Sequence, residues 1–70
     1  MPVTKVIEVI GTSPDGADAA VREAVAAASR SIRGISHVDV LAIDCDVEKD
    51  QIVRWNALVK IAFPVESRDG

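Results

Sequence analysis

Hydrophobic and polar residues alternate most regularly over positions 52–65. Val53, Trp55, Ala57, Val59, Ile61, Phe63 and Val65 share one parity there, against Ile52, Arg54, Asn56, Leu58, Lys60 and Ala62 on the other. A period of two sends alternate side chains to opposite faces of a strand, so this stretch is a strand with one face on a core. Pro64 marks a sheet edge or a strand end. Val38 to Val47 alternates too, with Leu41, Ile43, Cys45 and Val47 on one face and Val38, Val40, Ala42, Asp44 and Asp46 on the other. Glu48-Lys49-Asp50 between the two runs reads as a polar hairpin turn.

Val3 to Ile10 is a third strand, rich in β-branched residues and stopped by the turn-forming string Gly11-Thr12-Ser13-Pro14-Asp15-Gly16. Both of its faces are apolar: Val3, Ile7 and Val9 lie with Lys5 on one, Val6 and Ile10 with Glu8 on the other. An alanine-rich run then extends to Arg33, with Asp15 and Asp18 spaced as a capping box and Gly34 as the stop. Val21, Ala24, Val25, Ala28 and Ile32 form one apolar stripe along it, made of small residues, so this helix should lie close to a sheet.

The expected fold is therefore α+β, in the order β-α-β-β, with a three-stranded antiparallel sheet packed on one helix. It is a single domain over residues 1–70, with an ordered core from about 3 to 66 and a polar tail, 67–70. The sheet face away from the helix is expected to carry Val38, Val40, Leu58 and half of the first strand. Such a patch on a monomer would be large, so burial between subunits is expected.

Composition sharpens that expectation. Hydrophobic residues make up 49% of the 70, charged residues 27%, and only Trp55 and Phe63 are aromatic. A chain this short builds a marginal core. Cys45 is the single cysteine, so no disulfide can staple the chain, and there is no zinc-finger spacing, which leaves self-association. The net charge of −3 and the lack of a basic stripe argue against nucleic acid and anionic membrane, and favour cations. No N-terminal h-region or long apolar window is present, so a cytoplasmic location is expected. No nucleophile-base pair, phosphate loop or zinc motif is present, so no enzyme is expected.

Three strings resemble the dodecins: Lys5-Val6-Ile7-Glu8-Val9-Ile10-Gly11-Thr12-Ser13-Pro14, Ala28-Ser29-Arg30-Ser31-Ile32-Arg33 and Val59-Lys60-Ile61-Ala62-Phe63. The likeness runs from about Val3 to Glu66. It implies a hollow dodecamer that stores flavin, riboflavin or FMN, without catalysis. In that family a tryptophan before the second strand stacks on the flavin ring, and a glutamine on the third bonds its polar edge. His37 and Asn56 stand at those positions here. An imidazole offers less stacking surface than an indole, and Asn is one methylene shorter than Gln, so weakened or lost flavin binding is expected.

Asp44, Asp46, Glu48 and Asp50 place four carboxylates around the hairpin, where they read either as a solvated turn or as cation ligands. Calcium takes 6–8 oxygen ligands, so one chain needs help from neighbours to complete a site. Trp55 and Cys45 share the core parity and read as core residues. Glu8, within an apolar strand, calls for Lys5, Lys60 or an ion as its partner. The leading expectation is a storage shell that takes up calcium or another divalent cation; the alternative is flavin storage with His37 and Asn56 on the ring.

Overall fold

The computed structural model describes residues 3–65; the polar tail lies outside them. Strand β1 (Val3–Ser13) leads to helix α1 (Ala17–Ser29), then to strands β2 (His37–Glu48) and β3 (Gln51–Val65). All pairings are antiparallel, in the order β1-β3-β2, so the chain's last strand is the middle of the sheet. Pro64 falls near the end of β3, opposite Thr4.

The helix lies over β1 and β3 and barely touches β2. Ala20, Ala24 and Ala28, one turn apart, are buried against Ala57, Val59 and Ile61 of β3. Ile7, Val9, Val21, Ile32, Val38, Trp55 and Phe63 pack around this centre, so Trp55 lies on the core side, as its parity required, but is only partly buried. Ala20, the first of the buried row, lies outside the stripe read from the sequence, which begins at Val21.

Several boundaries differ from the sequence expectation. β1 continues through Gly11, Thr12 and Ser13, which pair with Ala57, Asn56 and Trp55 rather than forming a turn. Glycine is needed there because the strand runs against the helix backbone: a Cβ on Gly11 would lie 2.0 Å from the Ala20 carbonyl oxygen and 2.8 Å from the Ala24 Cβ. The capping box does not form. Gly16 is the N-cap and supplies no side-chain bond, while Asp18 accepts a hydrogen bond from Arg22 at 2.7 Å, one turn on. Ser13 Oγ instead accepts the Asp15 N–H at 3.0 Å.

The helix ends at Ser29, not Arg33. The Ser29 hydroxyl donates to the Ala26 carbonyl at 2.8 Å, and the Arg30 and Ser31 N–H groups close tighter three-residue turns onto Ala27 and Ala28. Gly34 then reverses the chain with φ +74°, a conformation that suits glycine.

A second correction concerns β2. Val40 pairs with Val59 but Ala42 pairs with Leu58, so Leu41 is the extra residue of a β-bulge. One inserted residue exchanges the two faces. Val38 and Val40 therefore stand opposite Ile61 and Val59 on the helix side, not on the outer face where simple alternation puts them.

The hairpin turns at Lys49 and Asp50, both at positive φ (53° and 63°), as the tight two-residue turn requires. The arm it closes extends well past the helix. The subunit measures 59 × 19 × 13 Å with a radius of gyration of 14.8 Å, against about 11 Å for a compact chain of this length. Val40, Leu41, Ile43, Val47 and Ile52 on this arm, and Val6 and Ile10 on β1, are exposed hydrophobics. Among the described residues, no helix is long and apolar enough to cross a membrane.

Candidate functional site

The outer face of the sheet, opposite the helix, carries a polar seam that crosses all three strands. Asn56 of β3 stands at its centre, with Thr12 of β1 and Asp44 of β2 as its two register partners. Thr12 Oγ1 donates to Asn56 Oδ1 at 3.0 Å. Asn56 Nδ2 donates to Asp44 Oδ1 at 2.9 Å and to Asp46 Oδ2 at 3.2 Å. Arg54 Nε donates to the same Asp46 oxygen at 2.9 Å.

Chemistry fixes this orientation of the amide. Turning it over would set the Asn56 carbonyl against two anions and leave two N–H groups toward Thr12. Both Asn56 N–H groups are therefore engaged inside the chain. Asp44 and Asp46 each keep one oxygen without a bond from this seam.

The hydrogen bond from Arg54, and after it the one from Asn56, hold the Asp46 carboxyl below its ordinary value of 3.8. A carboxyl lowered on folding stabilises the folded state above its ordinary pKa, and that contribution is lost as pH falls through the lowered value. Asp46→Asn should therefore lower the urea midpoint at pH 7, and its difference from the unsubstituted chain should shrink as pH drops below 3.8. An equal difference at pH 7 and pH 3 would remove this role from Asp46.

Of the residues singled out by sequence, Asn56, Asp44 and Asp46 are brought together. Glu48 and Asp50 sit farther along, Glu48 opposite Gln51 at the end of the hairpin and Asp50 in its turn, both exposed. Among the described residues, no group of three or more His, Cys, Asp or Glu side chains is placed to hold a metal ion within one chain. Glu8 faces Lys60 across the β1–β3 pairing, on the exposed side.

His37 opens β2, exposed, opposite Ala62. Ala62 is six positions along β3 from Asn56, so His37 and Asn56 lie about 20 Å apart at ~3.3 Å per residue. No single ring can touch both within one subunit, and a ligand that used both would have to lie between two copies. Thr12 was hidden from the sequence reading because it sits in a string that looks like a turn. Its β-branched side chain was the available signal.

On the helix side, an open groove of about 430 Å³ runs along β1, lined by Ile7, Val9, Gly11, Ala24, Ala28 and Ile32 among others. It is mostly apolar, with Thr12, Glu23 and Ser31 as its polar lining, and holds none of the seam's carboxylates.

The dodecin family model matches residues 3–66, nearly the whole chain. The chain belongs to the dodecin family. Among solved structures, a dodecin from Streptomyces coelicolor is 38% identical, with a TM-score of 0.91 over 94% of both chains. A dodecin from Streptomyces davaonensis is 26% identical, with a TM-score of 0.90 over 94% of this chain and 97% of that one. A third, described as a calcium-chelating immunodominant antigen and calcium dodecin from Mycobacterium tuberculosis with a novel calcium-binding site, is 29% identical, with a TM-score of 0.81 over 97% of both chains. No curated protein sequence matches. For this dodecin, the β-α-β-β subunit with one helix and a three-stranded antiparallel sheet is the family's fold.

Proposed function

We propose that this dodecin is a non-enzymatic, homo-oligomeric shell subunit that sequesters divalent cations, calcium foremost, and binds flavin weakly or not at all. The observation that carries this is the state of Asn56. Its amide donors are held by Asp44 and Asp46, while one oxygen of each carboxylate remains for a hard cation. Two carboxylates per chain are too few for calcium's 6–8 oxygen ligands, so the site is completed between subunits, with the exposed Glu48 and Asp50 of a neighbour as the candidate donors. A dodecameric assembly, as in other dodecins, supplies such neighbours. The Mycobacterium tuberculosis relative named as a calcium dodecin supports calcium as the cation to try first.

Calorimetric titration of chelator-treated protein is expected to give saturable heat with Ca²⁺, weakened about tenfold or more by Asp44→Asn, since ligand charge tunes such sites. Arg54 competes for Asp46, so Arg54→Ala should tighten binding. Absence of heat with Ca²⁺ and Mg²⁺ at millimolar concentration removes the cation reading.

The alternative is riboflavin or FMN storage, which family membership favours. Yellow purified protein, or quenching of riboflavin fluorescence on mixing, would select it.

A further inference from the structure

We infer that Asp44 and Asp46, rather than the shortened side chain at position 56, are what keep a flavin ring off the outer face. The inference rests on the reading above, in which Asn56 occupies the position that would meet a flavin's polar edge. That edge presents carbonyl oxygens beside an N–H, so it needs an amide free both to donate and to accept. Here both donors point at carboxylates, at 2.9 and 3.2 Å, and a charged acceptor holds an N–H more strongly than a neutral ring carbonyl does. The two anions also face any carbonyl that approaches along the seam.

Lengthening the side chain does not remove this hold. Asp44 is the direct cross-strand partner of Asn56, and Asp46 is two residues along the same face of β2. A glutamine at position 56 would carry the same amide past the same two carboxylates. The determinant of ligand choice thus lies on the neighbouring strand, and the residue at the ligand position reports it only indirectly.

The test uses riboflavin, which has no phosphate to be repelled, in the assembled protein carrying His37→Trp to supply a stacking surface. Fluorescence quenching is compared for His37→Trp alone, with Asn56→Gln added, and with Asp44→Ala plus Asp46→Ala added. Light scattering checks that each has the same particle mass. The carboxylate-free protein should bind riboflavin at least about tenfold more tightly than the other two, which should differ little from each other. Should the alanine version fail to assemble, Asp44→Asn with Asp46→Asn keeps side-chain volume and is expected to bind in the same order.

Tight binding on adding Asn56→Gln, with none on removing the carboxylates, overturns the inference and leaves Asn56 as the ligand position. Absence of riboflavin binding in every variant overturns the inference and the placing of Asn56 at the flavin's edge, while the cation reading stands or falls on its own titration.

Discussion

Gly11→Ala is expected to leave the subunit unable to fold. The new methyl would stand 2.0 Å from the Ala20 carbonyl oxygen and 2.8 Å from the Ala24 amide nitrogen. Both are helix backbone atoms, so no side-chain end can swing away. Relief requires the helix to lift off β1, and that opens the Ala20, Ala24 and Ala28 contacts with Ala57, Val59 and Ile61 that form the buried centre. Ordinary overpacking costs about 1–3 kcal/mol because side chains yield; a clash between two backbones should exceed that range, in a domain whose whole stability is of order 5–15 kcal/mol or less. Gly34→Ala is the control. Its strain is the left-handed backbone alone, about 1–2 kcal/mol, with the Pro64 ring 3.7 Å away in ordinary contact. Circular dichroism with urea unfolding separates the two, and a Gly11→Ala protein within about 1 kcal/mol of its parent would disprove the close approach.

Leu41→Asp is expected to break the proposed homo-oligomer into single chains of 7.4 kDa. Leu41 is 44% exposed in the isolated subunit, in the middle of an arm on which Val40, Ile43, Val47 and Ile52 are also open to water. Contact with another copy would bury a leucine worth about 1.5–3 kcal/mol. Aspartate loses that and adds a charge that costs several kcal/mol more to dehydrate. The loss repeats at every equivalent contact in a symmetric particle, so a modest local penalty becomes a change of state. Sedimentation at micromolar concentration gives the answer. For the parent protein, a thermal midpoint that rises with concentration is the companion observation. A Leu41→Asp protein with unchanged particle mass would show that this arm stays in solvent.

How far these features could be read without coordinates depended on how local their causes are. Strand β3 was legible because its period of two is unbroken over more than a dozen residues, and α1 because alanine and valine repeat at helical spacing. The end of β1 was not. Gly11-Thr12-Ser13 has the composition of a turn, and only the helix lying across it explains why a strand should contain glycine there. The faces of β2 were misread for a similar reason. A bulge at Leu41 leaves no mark in composition, yet it transfers Val38 and Val40 to the helix side. The candidate site divides in the same way. Asp44, Asp46 and Asn56 were each visible as polar residues on strands, but their grip on one another depends on a cross-strand register set by the bulge at Leu41 and a second shift between Asp46 and Val47.

The position of β3 at the centre of the sheet bears on how the protein is made. Val3 pairs with Val65, and every other partner of β1 also lies in the last third of the chain. While a ribosome extends the chain at about 5–20 residues per second, β1 and α1 emerge with nothing to pair with, and β2 waits for the strand that follows it. No sheet can form until β3 is available. Non-local pairing of this kind folds slowly for its size. Until β3 is in place, Val6, Ile10 and the β2 hydrophobics have no strand beside them, so the unpaired strands are open to mispairing and aggregation.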